Sequence, residues 1–161
     1  MGNRRSLFRK YPDIKPSENI KCLSLLLKKE FAEAIINGEK TVEFRNYTKY
    51  YCGRLYDAKL VQYGDAHVSD KDMEDFVDFT RPLRKVETIH FHNYNNTWSL
   101  DVEVIDNWTV IVDKAGVQDM QTAFGCHELD DLLEELEAKN AAERPIFFYF
   151  ALGKVISKTG I

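Results

Sequence analysis

The chain has 161 residues, of which 44% are hydrophobic and 30% charged, and its formal net charge is −4. This length and mixed composition predict one globular domain that can bury its own core. No stretch approaches the roughly 20 apolar residues of a membrane span, and residues 1–15 lack the apolar segment of a secretory signal. We therefore expect a cytoplasmic protein that does not bind membranes.

The first predicted elements alternate between strand and helix. Residues 1–19 are basic and poor in apolar side chains, which predicts an extended or poorly ordered, flexible N-terminal arm. The apolar run 20–27 predicts a buried strand, and the spacing of apolar residues in 28–37 predicts a short helix. Gly38 follows at the position of a left-handed helix cap, and the alternation in 41–46 predicts a second strand.

The remaining elements predict a sheet with helices beside it. They are a strand at 55–63, a short helix at 69–79, a hairpin of strands 86–94 and 98–105, an extension of the second hairpin strand at 108–112, a helix at 128–139 and a long strand at 145–156. Most of these connections suit antiparallel pairing. The fold class is therefore α+β, with a curled or closed β-barrel and flanking helices. The predicted domain covers 20–156, and 157–161 form a tail.

The charge distribution is uneven along the chain. Residues 1–60 carry 13 Lys and Arg against 7 Asp and Glu, whereas residues 61–161 carry 9 against 19. The basic first third of the chain indicates either an electropositive face that attracts a polyanion or an ordinary solvated surface. Sequence alone leaves both interpretations open.

The segment Gly38–Arg45 (GEKTVEFR) concentrates polar groups at the junction of the predicted helix and strand. Strand alternation places Thr41, Glu43 and Arg45 on one face. Arg45 can offer a planar fork of donors to a phosphate or a base edge. Lys40 can contact phosphate or, if desolvated, act as a base.

A glutamate and three tyrosines complete this candidate ligand-binding site. Glu43 can hold a neighbouring cation, accept a hydrogen bond from a base amine, or move a proton. The rings of Tyr47, Tyr50 and Tyr51 follow directly and can stack on bases. A solvated ion pair between Glu43 and Arg45, with the tyrosines as rim packing, explains the same residues without any ligand.

The spacing Gly38-x-Lys40-x-x-Glu43-x-Arg45 resembles the hallmark of the ASCH family, a branch of the PUA-like superfamily. The preceding helix, the leucine-rich later helix and the aromatic strand at 147–150 are similar too. This resemblance covers residues 20–156. It implies a PUA-like β-barrel with a cleft beside the motif, and binding of RNA, a nucleotide or a modified nucleoside.

The resemblance also implies a possible enzyme, and here the chain departs from the pattern. Small members that hydrolyse the amide of acylated cytidine use the motif Lys, a Thr at the position of Glu43, and a Glu ahead of the last helix. This chain keeps Lys40, has Glu43 instead of Thr, and offers Asp119 with no aligned Glu. If the chain is an enzyme, Lys40 and Glu43 are the predicted catalytic residues.

Three functions therefore remain open at this point. The first is an RNA- or nucleotide-binding domain using Lys40, Thr41, Glu43, Arg45 and Tyr47. The second is a hydrolase of the same fold that acts on a modified nucleoside or on RNA. The third is a protein-interaction domain in which the motif is structural, and the sequence fixes no oligomeric state.

No cofactor or metal site is predicted. Cys22, Cys52 and Cys126 are widely spaced and form no CxxC pair, which is typical of small apolar residues rather than of a disulfide framework. His90 and His92 share one strand face, but zinc needs a third or fourth ligand and no supporting pattern is present. We expect these histidines to be exposed or hydrogen-bonded.

Overall fold

The structure is a computed structural model that describes residues 9–15 and 17–161. The sequence predicts one domain, whereas the contacts divide the chain into two units. Unit 1 comprises residues 1–20, as far as they are described, and 48–85. Unit 2 comprises residues 21–47 and 86–161.

Five strands and six helices of 7 to 11 residues organise the described chain. The strands are β1 (Ile20–Leu26), β2 (Val42–Asn46), β3 (Val86–His92), β4 (Ser99–Ile111) and β5 (Ile146–Thr159). The helices are α1 (Lys29–Ile36), α2 (Lys49–Leu55), α3 (Ala58–His67), α4 (Met73–Thr80), α5 (Lys114–Phe124) and α6 (Asp130–Ala138).

The strands form one mixed sheet in the order β1-β3-β4-β5-β2. The pairs β3–β4, β4–β5 and β5–β2 are antiparallel. β1 and β3 run in the same direction, since Thr88 Oγ1 donates to the Lys21 carbonyl near one end and the Leu27 amide donates to the His92 carbonyl near the other. The α+β class is confirmed. The described sheet is not closed, so the closed form of the predicted barrel is wrong, and β1 and β2 are its two edges.

The two faces of the sheet in unit 2 bury different side chains. Phe148 and Phe150 of β5 are fully buried, and they lie opposite Arg45 and Glu43 of β2. Residues opposite each other in an antiparallel pair point to the same face. Glu43 and Arg45 therefore share a face with the aromatic core of β5.

The opposite sheet face is covered by α5 and α6. Val42 and Tyr149 pack there with Val117 and Met120 of α5 and with Leu129, which directly precedes α6. Leu132, Leu133 and Leu136 pack against the same cluster, as the predicted leucine stripe requires. This covering layer fixes the segment between α5 and α6 close to β2.

The predicted strand at 55–63 is wrong. In unit 1 this stretch ends α2 and forms most of α3, and Asp57 caps α3 by accepting hydrogen bonds from the amides of Lys59 and Leu60. Leu60 and Gly64 are the buried positions of α3, a spacing of four that suits a helix and not a strand. Tyr56 keeps only an isolated β-bridge to Leu83.

The predictions for the two ends of the chain, a flexible arm and a tail, also differ from the structure. Residues 1–8 and 16 of the predicted arm lie outside the described residues. Within the described part, Tyr11 and Ile14 are buried against Val68 and Phe76 of unit 1, so this part is packed and not an extended arm. At the other end, β5 continues to Thr159, which pairs with Ser99, so most of the predicted tail is strand.

Candidate functional site

The motif starts at a tight turn that ends α1. Gly38 has a positive φ of 79°, as predicted for a left-handed cap, because a residue without Cβ adopts this conformation without strain. The amides of Glu39 and Lys40 then both donate to the Ala34 carbonyl, at 2.9 and 3.1 Å. The turn therefore attaches Lys40 to the end of α1 and places it just before β2.

Lys40, Glu43, Arg45 and Glu128 form a continuous chain of ion pairs, here named the charged cluster. Lys40 Nζ lies 2.7 Å from Glu128 Oε1 and 3.6 Å from Glu43 Oε1. Arg45 Nη2 lies 2.9 Å from Glu43 Oε2. The two cations and two carboxylates give the cluster a formal charge of zero.

The charged cluster is buried at its centre and more open at its ends. The side chains of Lys40 and Glu43 are each only 8% exposed, against 19% for Arg45 and 42% for Glu128. The pairing is therefore not the solvated surface ion pair that composition alone suggests. Buried charges of this kind require partners, since removing one leaves the others desolvated and unpaired.

Arg45 also connects the two edges of the sheet. Its Nη2 donates to the Leu26 carbonyl at the end of β1, at 2.7 Å, while its own strand β2 is the opposite edge. One guanidinium therefore spans the opening that keeps the sheet from closing. Glu43 holds this guanidinium in place, and its Oε1 accepts the amide of Phe44 at 3.2 Å.

Tyr47 and Thr41 occupy the two ends of the β2 segment. The Tyr47 ring stacks on Phe148 with centroids 4.9 Å apart and remains 45% exposed, so it lies beside the strand position of Arg45. The Thr41 hydroxyl donates to the Phe124 carbonyl at 3.1 Å, which ties it to α5. The structure brings Lys40, Glu43 and Arg45 together, and Tyr47 lies next to them. The Thr41 hydroxyl is instead bonded to the end of α5.

Tyr50 and Tyr51 belong to α2 in unit 1. Their rings meet edge to face with centroids 5.1 Å apart, and Tyr50 is 70% exposed. Their predicted stacking role stays a prediction.

Glu128 is a member of the charged cluster that sequence analysis missed. The predicted helix starts at 128, but α6 begins at Asp130, so Glu128 is a glutamate ahead of the last helix and contacts Lys40 directly. The sequence pattern offers Asp119 and no aligned glutamate in the segment before the last helix; in the structure Asp119 lies on α5 and Glu128 directly precedes Leu129 and α6. The available signal was the leucine stripe, whose first residue, Leu129, places Glu128 at the helix boundary, where sequence assignments vary by one or two residues.

Two neighbours shape the surroundings of Lys40 and Glu128. The Cys126 thiol is buried and lies 3.8 Å from Glu128 Oε2. Burial raises the pKa of the Cys126 thiol, which keeps it protonated and inert at neutral pH. Lys40 Nζ lies 5.7 Å from the centroid of the Phe31 ring, an attractive position for a cation.

The histidines predicted to be exposed or hydrogen-bonded lie on β3. His90 Nδ1 is 2.6 Å from Asp101 Oδ1, and the Ser157 hydroxyl donates to Asp101 Oδ2 at 2.7 Å. Burial acts to raise the pKa of Asp101, but the hydrogen bonds from Ser157 and His90 outweigh it and hold the pKa below its usual value. His92 stacks on His90 at 5.6 Å, and within residues 9–15 and 17–161 no group of three or more His, Cys, Asp or Glu is arranged to hold a metal ion.

Two cavities of the structure lie away from the charged cluster. One of about 800 Å³ is in unit 1 and is lined by residues that include Tyr56, Tyr63 and Arg84. The other, of about 440 Å³, is in unit 2 between β4 and α5. Neither is lined by Lys40, Glu43 or Arg45, so the cleft expected beside the motif stays a prediction. No helix in the described part of the chain is long and apolar enough to cross a membrane.

Comparison with known proteins gives one structural similarity. No protein-family model and no curated protein sequence matches the chain. The crystal structure of a mutant of ZmASCH from Zymomonas mobilis is similar with a TM-score of 0.42 and 15% sequence identity, over 86% of this chain and 71% of that chain. The name of that protein contains the family that the motif resembles. A TM-score of 0.42 is too low to support any conclusion about the site or its chemistry.

Proposed function

We propose that the chain binds RNA or a free nucleoside and reads the edge of one base at the charged cluster. The observation that carries this proposal is the line of Lys40, Glu43 and Arg45, joined over 3.6 and 2.9 Å and followed by the exposed ring of Tyr47. Donors, an acceptor and a stacking surface lie next to each other on one segment. Single-stranded bases are recognised by stacking on aromatic rings together with hydrogen bonds to their edges.

The charge balance favours a base edge over a phosphate as the group bound here. Lys40 already lies within 2.7 and 3.6 Å of two carboxylates, and the charged cluster is neutral as a whole. A phosphate entering the site would meet Glu43 and Glu128 as well as the two cations, so the attraction would largely cancel. A base edge carries both donors and acceptors, and cytosine offers an exocyclic amine that a carboxylate accepts.

Tyr47 provides a test that leaves the ion pairs intact. Stacking of a base on an aromatic ring contributes about 1–3 kcal/mol, so Tyr47→Ala is expected to weaken binding about tenfold or more. The measurement is fluorescence anisotropy with a labelled single-stranded oligocytidine, together with calorimetry on free cytidine. Tyr94→Ala is the matched control, because Tyr94 is 87% exposed and lies on the β3–β4 turn. Equal affinity of the two variants would contradict the proposal.

Salt dependence separates base reading from phosphate binding in the same assay. If one base edge dominates, the logarithm of affinity falls with the logarithm of salt with a slope of magnitude below about 2. Arg45→Lys keeps the charge and loses the planar fork, so it should weaken binding without changing this slope. If the slope is steep and Arg45→Lys changes neither the slope nor the affinity, the binding comes from phosphate contacts outside the charged cluster.

A second candidate function is amide hydrolysis of an acylated cytidine, and one contact favours it. Glu128 lies ahead of α6 and accepts a hydrogen bond from Lys40 Nζ at 2.7 Å, which supports a site in which a glutamate and the motif lysine act together. A lysine positioned between two carboxylates can exchange protons with a bound substrate or water. Glu43, in place of a threonine, remains the departure from the resembled pattern.

Turnover measurements decide this second candidate. With N4-acetylcytidine as the substrate, Lys40→Ala and Glu128→Gln should each lower kcat/KM by about 100-fold or more, because each removes a proton-transfer group. Glu135→Gln is the control, since Glu135 pairs with Lys139 on the exposed side of α6. Absence of product from the unmodified chain, or equal rates in Glu128→Gln and Glu135→Gln, excludes the hydrolase.

A further inference from the structure

Two histidines of β3, His90 and His92, lie side by side on one face of the sheet. Residues two positions apart in a strand point to the same face, and these two rings have centroids 5.6 Å apart with 28° between their planes. His90 lies opposite Asp101 of β4, and His92 lies opposite Ser99. The His90 side chain is 37% exposed and His92 is half-buried, so both imidazoles are accessible to solvent from the same side of the sheet.

Both rings make their hydrogen bond through the same nitrogen, Nδ1. His90 Nδ1 lies 2.6 Å from Asp101 Oδ1, and His92 Nδ1 lies 3.0 Å from the Asn93 carbonyl oxygen. A carboxylate and a carbonyl only accept hydrogen bonds, so each neutral ring carries its proton on Nδ1 and its lone pair on Nε2. The Ser157 hydroxyl donates to Asp101 Oδ2 at 2.7 Å and fixes the carboxylate that orients His90. Such Nδ1 contacts are the usual outer contacts of metal-binding histidines.

We propose that the Nε2 atoms of His90 and His92 together bind a divalent transition-metal ion, with copper(II) preferred. Metal–nitrogen bonds of about 2.0–2.1 Å that meet at about 90–110° place two imidazole centroids roughly 5 Å apart. The centroids are 5.6 Å apart in the structure, so a small rotation of the rings is enough. Imidazole suits copper, nickel and zinc, and a given set of ligands generally binds copper(II) most tightly of the three.

The number of ligands determines the kind of metal site. Among the described residues, no third His, Cys, Asp or Glu joins the pair in a metal-binding group. A structural zinc site needs four protein ligands, so this pair does not form one. Copper(II) and nickel(II) accept nitrogen and oxygen ligands in a tetragonal arrangement, so water can fill the remaining positions. The site uses no residue of the charged cluster and can be tested without any nucleic acid.

Titration with metal chlorides tests this proposal. Copper(II), nickel(II) and zinc(II) are added to the full chain carrying Cys22→Ser, because Cys22 is exposed and thiolates bind copper themselves. Isothermal titration calorimetry measures the affinities, and EPR of the copper(II) complex reports how many imidazole nitrogens are bound. We expect the highest affinity for copper(II) and a spectrum of two imidazoles. A spectrum of a single imidazole, or no binding of copper(II), overturns the proposal.

Matched variants assign the bound ion to this pair. Loss of an outer contact typically weakens metal binding about 10–100-fold, so Asp101→Asn should weaken copper(II) binding about tenfold. His90→Ala and His92→Ala each remove a ligand outright and should weaken binding more. His127→Ala is the control, because His127 has the same kind of contact, 2.9 Å from Asp130 Oδ2, but no histidine two positions away in the sequence. Equal copper(II) affinities of the three histidine variants overturn the proposal.

Discussion

Replacing Lys40 with Met is expected to lower the free energy of unfolding of unit 2 by roughly 3 kcal/mol, because it removes one of the two cations that neutralise the buried Glu43 carboxylate. Lys40 lies between Glu43 and Glu128, and its side chain is only 8% exposed. The charged cluster would change from neutral to a net charge of −1 in a poorly solvated place. Urea unfolding followed by tryptophan fluorescence measures this effect, since both tryptophans belong to unit 2.

Two further variants distinguish burial of charge from loss of a long side chain. Lys139→Met makes the same substitution in an exposed pair with Glu135 and should cost about 0.5 kcal/mol or less. Lys40→Met combined with Glu43→Gln restores neutrality and should recover much of the lost stability. If the double variant is as unstable as the sum of its two single variants, the coupling between Lys40 and Glu43 is absent and the electrostatic explanation is wrong.

Gly116→Ala is expected to destabilise unit 2 by roughly 3 kcal/mol, the upper part of the usual range for overpacking. A Cβ at position 116 would lie 2.0 Å from the Ile111 carbonyl oxygen and 3.1 Å from its carbonyl carbon. These are backbone atoms at the end of β4, and they cannot rotate away as a side chain can. Relief of the clash must move the first turn of α5, where Asp113 caps the Gly116 amide.

Gly153→Ala is the matched control for this prediction. A Cβ there would approach Glu103 Oε1 at 2.7 Å and Ile105 Cγ2 at 2.9 Å, both of which are side-chain atoms. Since the Glu103 carboxylate ends a flexible chain, a loss of about 1 kcal/mol or less is expected. Thermal unfolding of the two variants, followed by tryptophan fluorescence, should therefore rank Gly116→Ala well below Gly153→Ala. The reverse order would show that the start of α5 is not tightly held against β4.

Local patterns predicted much of the fold of unit 2. Strict alternation identified β2, the turn-forming residues at 93–97 identified the β3–β4 hairpin, and the leucine stripe identified α6. The end of α1 was also predictable, because Gly38 is the residue type that a left-handed cap requires. These features depend on neighbours within a few positions, and a single sequence contains that information.

The openness of the sheet was not predictable. It depends on how far the strands curl and on whether the edges β1 and β2 meet in register, which no local pattern encodes. α5 was missed although its ends carry helix signals, namely Asp113 as the N-terminal cap and Gly125 with a φ of 60°. α3 was assigned as strand because its apolar residues are few, and its buried positions follow from packing in unit 1.

The candidate site was predictable in part. Lys40, Glu43 and Arg45 lie within six positions, so a strand after a tight turn was enough to group them. Glu128 lies 88 positions from Lys40, and only the tertiary packing of α5 and α6 against the sheet brings them together. The burial of Lys40 and Glu43 likewise depends on the whole of unit 2. Burial determines whether the cluster is a weak surface pair or a desolvated one.

The pairing of β2 has a consequence for how the chain acquires its site during synthesis. The ladder partner of β2 is β5, and Glu43 and Arg45 lie opposite Phe150 and Phe148. About a hundred residues must therefore leave the ribosome before the strand that carries the motif can be ordered. Contacts of such large sequence separation form slowly. Chains stalled before β5 would leave these charged side chains in water, so the charged cluster should form only when β5 pairs with β2.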